Sequence, residues 1–232
     1  MSNNRQKNNK FIPDVNKVRV FQIGFNKCGT RTLFKFFQKN NVPSVHYDGG
    51  QIAGSLYRHY QNKDPLIDIR YRKKVFFADM EDIYRSQYPL YGQHLYKQLD
   101  QEYNNSFFIL NTRNKEKWLR SRILHENGSY LQYISDKMGL SKRQVVRNWN
   151  NEWEDHHLSV IDYFRDKPGK LLIFNIETDK IGKLIKFFGG VFNLNPSYYI
   201  HVGKSSSYFN INDLDEETKL IYSEYTIKKN EN

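Results

Sequence analysis

Short apolar segments alternate with longer amphipathic segments through most of this 232-residue chain. Five segments have the length and composition of buried strands, at residues 18–23, 42–47, 74–80, 106–112 and 170–176. Helical patterns separate or follow them, at residues 30–40, 51–62, 91–103, 115–125, 142–165, 180–188 and 213–228. Such alternation indicates βαβ units around a parallel sheet. We therefore predict an α/β fold, a three-layer domain whose central, mostly parallel sheet is flanked by helices.

The composition is that of a folded domain. The chain contains 17 Tyr and 16 Phe and is 38% hydrophobic, which excludes a wholly disordered chain, a collagen-like fibre and a coiled coil. No apolar run approaches the ~18 residues that a transmembrane helix needs, so we predict no membrane span. Residues 1–14 are polar and basic without an apolar stretch, so we expect a short disordered tail rather than a secretory signal. Residues 15–232 are then predicted to form one domain.

Cysteine content and net charge indicate the cellular compartment and the kinds of partner. The single cysteine, Cys28, cannot form an internal disulfide, which fits a reducing compartment, and we expect a cytoplasmic protein. The 36 Lys and Arg against 25 Asp and Glu give a net charge of +11, an excess that attracts polyanions. Solubility alone is an equally ordinary reason for this charge. The basic residues are scattered rather than striped, so we expect no nucleic-acid partner. The oligomeric state stays open.

The loop after the first predicted strand has the composition of an anion site. In parallel α/β sheets, ligands bind beyond the carboxyl ends of the strands. Gly24 and Gly29 permit tight turns and a close approach of backbone to ligand. The backbone amides of residues 30–32 begin a helix, whose N-terminus favours an anion. Thr30 and Thr32 add hydroxyl donors, and Lys27 adds a positive charge.

This loop differs from the Walker A motif of nucleoside triphosphatases. Gly24 and Gly29 have the Walker spacing, but Thr30 stands where the lysine belongs, and the lysine is at position 27. The pattern Lys-x-Gly-Thr-x-[Thr/Ser]-Leu resembles instead the 5′-phosphosulfate loop of sulfotransferases that use 3′-phosphoadenylyl sulfate (PAPS). The alternative is an ordinary glycine turn with a surface lysine. The resemblance implies a P-loop NTPase-like fold and cofactor binding by Lys27, Cys28, Gly29, Thr30, Arg31 and Thr32.

A second match to the sulfotransferase pattern follows the fourth predicted strand. In that family, an arginine at the strand end and a serine eight residues later hold the 3′-phosphate of the cofactor. Arg113 and Ser121 have this spacing, and a guanidinium offers a fork of donors suited to phosphate. The alternative is that Arg113 pairs with an acidic neighbour and Ser121 is merely exposed. A late basic loop covers the same phosphate in the family, and Lys204 is our candidate there, although a solvated loop is an equal alternative.

The resemblance also implies a mechanism. Sulfuryl transfer is an in-line displacement in which positioning and charge stabilisation dominate, and it needs no metal. Lys27 would stabilise charge on the bridging oxygen, and a general base would take the proton of the acceptor hydroxyl. His46 and Asp79 are the candidates for this base, with Asp48 and Glu81 behind them. Family members use either a histidine or an acidic residue. His46 could instead be a half-buried structural histidine, and Asp79 could cap a helix.

We therefore predict a PAPS-dependent sulfotransferase that acts on a hydroxyl of a small molecule or a carbohydrate and releases adenosine 3′,5′-bisphosphate. The acceptor pocket is expected in the variable loops 48–72 and 128–139. Three alternatives remain. The chain could be a nucleotide-dependent phosphotransferase with a divergent P-loop, a non-catalytic basic domain that binds polyanions, or a degenerate family member that binds cofactor without turnover.

Overall fold

The computed structural model describes residues 17–202 and 211–226. The expected tail at residues 1–14 and the candidate Lys204 lie outside these residues. All five predicted strands of the main sheet are confirmed. The strands in chain order are β1 (Arg19–Gln22), β2 (Ser44–His46), β3 (Phe76–Ala78), β4 (Glu81–Asp82), β5 (Leu90–Tyr91), β6 (Ser106–Thr112) and β7 (Leu171–Asn175).

The central sheet has five strands in the order β2-β3-β1-β6-β7, and every neighbouring pair is parallel. Strands β4 and β5 form a separate antiparallel pair. Because the central strands are parallel, their carboxyl ends share one edge of the sheet. β1 lies between β3 and β6, so the chain leaves β1 toward one side of the sheet and later returns on the other. This switch places a crevice beyond the ends of β1 and β6.

Eight α-helices accompany the strands in the described part of the chain. They are α1 (Thr30–Lys39), α2 (Gln51–Asn62), α3 (Tyr96–Glu102), α4 (Lys115–Ile123), α5 (Ser129–Met138), α6 (Lys142–Phe164), α7 (Ile181–Phe188) and α8 (Glu216–Glu224). The long helix α6 begins with a capping box, in which Ser141 and Gln144 satisfy each other's backbone amides.

Alternating side chains of the strands divide the core into two layers. Val20 of β1 points into one layer, which includes Phe36 of α1 and Phe188 of α7. Phe21, the next residue, points into the opposite layer, which includes Leu56 of α2. The three-layer α/β fold expected from the sequence is therefore confirmed. A third apolar cluster packs α4, α5, α6 and α8 against one another beside the carboxyl ends of the strands.

The helix expected at residues 91–103 is confirmed over residues 92–102, where a 3-10 turn, Gly92–Leu95, leads into α3. Gly92 packs closely against Leu56 at this start and donates a backbone hydrogen bond to the Met80 carbonyl, 2.7 Å away. One local prediction is wrong. Residues 128–139, expected as an acceptor loop, are mostly helix α5. Gly128 and Gly139 are the residues immediately before and after that helix, with φ of 83° and 62°. The buried side chains of α5 pack in the third apolar cluster.

Candidate active site

A cleft of about 1110 Å³ opens at the carboxyl edge of the central sheet. Each of four strands delivers a charged residue to it from the segment that follows the strand. These residues are Lys27 after β1, Asp79 after β3, Arg113 after β6 and Glu177 after β7. The topology thus brings together side chains that are far apart in sequence, since Lys27 and Glu177 are separated by 150 positions.

The loop after β1 is held from below by Asn111 of β6. This side chain is fully buried, accepts a hydrogen bond from the Gly24 amide at 2.9 Å and donates one to the Cys28 carbonyl at 3.0 Å. The backbone carbonyl of Asn111 lies so close to Gly24 that a Cβ there would be 2.0 Å from it. Only glycine fits at position 24, because the loop passes directly over β6.

Helix α1 presents its N-terminus to the cleft. Gly29, with φ of 76°, precedes the helix, and no side chain of the described residues caps its first amides. Gly29, Thr30 and Arg31 line the cleft. The amides of this first turn are therefore left available to a ligand, and a helix N-terminus favours an anion.

Two residues predicted for cofactor binding turn their side chains elsewhere. The Cys28 thiol is buried in the third apolar cluster, and burial raises its pKa well above the usual range. The Thr32 hydroxyl exchanges hydrogen bonds with the backbone of Val202, at 3.1 and 3.2 Å. Cys28 and Thr32 can thus offer only their backbone to a ligand at this loop.

Lys27 is the cation of the loop, and its backbone has a φ of 62°, in the left-handed region that non-glycine residues rarely adopt. Burial lowers the pKa of Lys27, while the neighbouring carboxylates Asp79 and Glu126 oppose that effect. A partly desolvated ammonium interacts more strongly with charge that develops beside it.

Arg113 links the two halves of the expected anion site. Its Nη1 donates to the Lys27 carbonyl at 3.1 Å, and its Nη2 donates to Glu177 Oε1 at 2.9 Å. Glu177 also accepts from the Asn114 amide at 3.1 Å and pairs with Lys117 at 3.4 Å. The acidic partner considered for Arg113 therefore exists. Ser121, two turns along α4, lines the same cleft.

Asp79 and His46, the two candidates for the base, are neighbours. His46 Nε2 lies 3.4 Å from Asp79 Oδ2 and 3.2 Å from Thr30 Oγ1. Asp79 lines the cleft, whereas His46 lies behind it. Burial raises the pKa of Asp79 to about 6, and Lys27 opposes this shift. Burial and then the charge of Arg31 lower the pKa of His46 to about 4.

The structure also excludes two alternatives considered from the sequence, Asp79 as a helix cap and Asp48 as a reserve base. Asp79 precedes strand β4 and caps no helix among those described. Asp48, considered behind the base candidates, accepts a hydrogen bond from the Tyr71 hydroxyl at 2.7 Å and does not line the cleft.

Glu81 belongs to a buried polar network beneath the loop. Its carboxylate accepts from the Asn26 amide and side chain, at 3.3 and 2.9 Å, and from the Tyr130 hydroxyl at 3.3 Å. Arg122, fully buried, donates to Tyr130 at 3.1 Å and stacks on Trp149 with a 4.6 Å separation. This network fixes Asn26, the residue before Lys27. Glu81 is thus a support of the loop rather than an open carboxylate.

Several cleft residues were not singled out from the sequence. They include Tyr47, Tyr84, Lys117, Arg120, His125, Glu126, Tyr130 and Glu177. Glu177 could have been found, because it follows the fifth predicted strand. Glu126 lies in a turn that the dipeptide Asn127-Gly128 indicates. Tyr84 and Tyr130 carry no such pattern, since both reach the cleft through the packing of β4–β5 and α5.

Two comparisons with known proteins bear on the site. Residues 19–124, a little under half of the chain, match the family model of the sulfotransferase domain. The matched segment contains Lys27, His46, Asp79, Arg113 and Ser121. No curated protein sequence matches the chain. Within residues 17–202 and 211–226, no helix is long and apolar enough to cross a bilayer, and no group of three or more His, Cys, Asp or Glu side chains is arranged to hold a metal ion.

Proposed function

Residues 19–124 match the sulfotransferase domain family, and from that match and the cleft we propose that this protein transfers a sulfuryl group from PAPS to an acceptor hydroxyl. One observation carries the proposal. Lys27, the start of α1, Arg113 and Ser121 line a single cleft at the carboxyl edge of the sheet. The cleft thus offers two groups of residues that can bind anions. PAPS requires two, one for its 5′-phosphosulfate and one for its 3′-phosphate.

The 5′ end of the donor would lie at the first loop. The uncapped amides that begin α1 suit the oxygens of a phosphosulfate, and Gly29 leaves room for a close approach. The Thr30 hydroxyl and the Arg31 guanidinium add donors from the cleft wall. PAPS supplies the activated sulfuryl group, and the chain supplies orientation and charge.

The 3′-phosphate would lie between Arg113 and Ser121. Arg113 already donates to Glu177, so we propose that the phosphate competes with this carboxylate for Nη2, while Nη1 keeps its bond to the Lys27 carbonyl. Lys117 pairs with Glu177 and Arg120 also lines the cleft, so both would help to offset the charge of Glu177. Lys204 stays a proposal from the sequence alone.

In the transfer step, the acceptor oxygen forms a bond to sulfur as the bond from sulfur to the bridging phosphate oxygen breaks. The acceptor hydroxyl loses its proton to Asp79, which is ionised above its raised pKa and faces the cleft. The Lys27 ammonium stabilises the negative charge that appears on the leaving oxygen. His46 contacts Asp79 from behind, and we assign it a positioning role.

Two other functions need separate evidence. A phosphotransferase would place a lysine after the second glycine of the loop, where Thr30 stands. A non-catalytic polyanion binder is suggested only by the net charge of +11. A carbohydrate or small-molecule acceptor, a single domain over residues 15–232 and a cytoplasmic location likewise remain proposals.

A donor comparison tests the proposed function. The protein is incubated with a panel of hydroxyl acceptors and either PAPS labelled in the sulfuryl group or ATP labelled in the γ-phosphate with Mg²⁺. We expect label to reach an acceptor from PAPS and none from ATP. Transfer from ATP alone would replace the proposal with the phosphotransferase. The Lys27→Ala variant is the control, because any label that it still transfers does not depend on this site.

A further inference from the structure

The cleft is not uniformly basic. Arg113, Lys117 and Arg120 line one part of it, while another part is lined by Tyr47, Tyr84 and Glu126, which we call the acidic-aromatic wall. Within this wall, the Tyr84 hydroxyl donates to Glu126 Oε2 at 3.1 Å. The donor is an anion and requires the basic part, so the acidic-aromatic wall is left for the acceptor.

Carboxylates concentrate on the acidic-aromatic wall. The pKa of Tyr47 is raised by burial and by the negative charges of Asp79, Asp82 and Glu126, so several carboxylates lie near its side chain. Asp79 is assigned to proton transfer, and Glu81 is buried and already accepts three hydrogen bonds from Asn26 and Tyr130. Glu126 is exposed and forms no ion pair within the described part of the chain, and the charge of Lys27 acts on it only at longer range, so its carboxylate can pair with a ligand.

A buried acceptor atom adds an independent observation. Asn26 is 8% exposed and lines the cleft, and its Oδ1 accepts no hydrogen bond from the described residues. Its Nδ2 is committed to Glu81 and Tyr130. Such a buried oxygen calls for a donor, and a ligand that carries N–H or O–H groups can supply it. A bare phosphate or sulfate oxygen cannot supply this donor, whereas an ammonium or a hydroxyl can.

Unusual backbone angles occur at residues of the same wall. Lys27, Tyr47, Asp79 and Glu126 all line the cleft with φ between 53° and 62°, which non-glycine residues rarely adopt. Lys27 and Asp79 are the proposed catalytic pair. Left-handed backbone at residues without glycine concentrates at functional sites, because it persists only where the surrounding structure imposes it. Tyr47 and Glu126 share this feature with the catalytic pair.

We propose that the acceptor carries a protonated amine in addition to the hydroxyl that receives the sulfuryl group. The ammonium would pair with Glu126 and lie against the rings of Tyr47 and Tyr84, in a carboxylate and cation–π arrangement. Its hydroxyl would then face Asp79 and Lys27. This assignment rests on the proposed function and narrows the acceptor to amino alcohols, amino sugars and phenolic amines.

A competition assay tests the amine preference. Labelled PAPS is incubated with equimolar matched pairs, tyramine with 4-ethylphenol and glucosamine with glucose, at neutral pH where both amines are protonated. We expect the amine of each pair to receive about tenfold more label than its neutral partner. Equal labelling, or more label in the neutral partners, would overturn the proposal. Absence of label in all four would overturn it too, provided that adenosine 3′,5′-bisphosphate still binds.

Two variants assign the preference to the wall. Glu126→Gln keeps the size of the side chain and removes its charge, so the ratio of amine to neutral product should fall toward one. Glu217→Gln, an exposed substitution on α8 that does not line the cleft, should keep the wild-type ratio. An unchanged ratio in Glu126→Gln would contradict the assignment. If the wild-type protein does not bind adenosine 3′,5′-bisphosphate, it is the proposed function that fails rather than the amine preference.

Discussion

The Arg113 guanidinium donates a hydrogen bond to the backbone carbonyl of Lys27 across a distance of 3.1 Å. The residue at the end of β6 therefore holds in place the loop that carries the proposed catalytic cation. Asn111, two positions earlier, binds the same loop from below. Contacts from the end of β6 thus hold the loop after β1, and under the proposed function they would couple binding of the 3′-phosphate to the position of Lys27.

Replacing Arg113 should affect binding of a 3′-phosphate most. For Arg113→Ala we expect the affinity for adenosine 3′,5′-bisphosphate to fall by about 10- to 100-fold, since hydrogen bonds to charged groups contribute about 1.5–3 kcal/mol. The affinity for AMP, which lacks that phosphate, should fall less. Calorimetric titration measures both, with the exposed Arg147→Ala as control. Equal losses for the two nucleotides would assign Arg113 to the support of the loop alone.

Replacing Lys27 should stop transfer and leave the fold intact. The ammonium is partly desolvated, and removal of one preorganised donor from such a site costs about 100- to 1000-fold in rate. We expect at least this loss for Lys27→Ala, with an unchanged thermal unfolding midpoint. Lys186→Ala, exposed on α7, is the matched control. A variant with full activity would remove Lys27 from the mechanism.

The pH dependence should identify Asp79 as the base. Its pKa is raised to about 6, and only the ionised carboxylate accepts a proton, so the rate should fall as pH drops through about 6. The Asp79→Asn variant should transfer about 100- to 10,000-fold more slowly, and its rate should no longer fall near pH 6. Steady-state rates across the pH range measure both effects, with the exposed Asp166→Asn as control.

His46 should matter less than Asp79. Its pKa is lowered to about 4, so it is neutral over the working range, and it lies behind the cleft. Loss of its contact with Asp79 in His46→Ala should cost about tenfold or less, with the limb near pH 6 retained. A larger loss in His46→Ala than in Asp79→Asn would reverse the two roles.

Position 24 should tolerate no side chain. A Cβ on Gly24 would lie 2.0 Å from the Asn111 carbonyl, so Gly24→Ala must displace either the loop or the end of β6. We expect a loss of at least about 3 kcal/mol in the free energy of unfolding. Gly182→Ala, where nothing lies within 4 Å of the added Cβ, should instead gain about 0.5–1 kcal/mol. Chemical denaturation compares the two, and similar values would contradict the close approach.

The fold could be predicted because each strand carries its own pattern. β1, β3, β6 and β7 are short and apolar, and helices separate most of them, so periodicity alone placed the parallel sheet. The β4–β5 pair escaped prediction, since two-residue strands have no period to detect. Helix α5 was not predicted, because residues 128–139 were assigned to a variable acceptor loop by analogy rather than from their own pattern.

The site was predictable only where a linear motif exists. Lys27 and its neighbours lie in one contiguous pattern, and Arg113 and Ser121 share a fixed spacing. The contacts of Arg113 with the Lys27 carbonyl and with Glu177 join positions 86 and 64 residues apart, and no local pattern encodes them. The acidic-aromatic wall is likewise assembled by tertiary packing alone, from the segments that follow β2, β4 and α4.

Calorimetric titration with adenosine 3′,5′-bisphosphate and with AMP, at moderate salt and without Mg²⁺, tests the central claim most directly. The cleft that joins the loop of Lys27 to Arg113 and Ser121 should bind the bisphosphate at least tenfold more tightly than AMP, because only the bisphosphate reaches both anion sites. Equal affinities, or no binding of either nucleotide, would contradict the assignment of this cleft to PAPS.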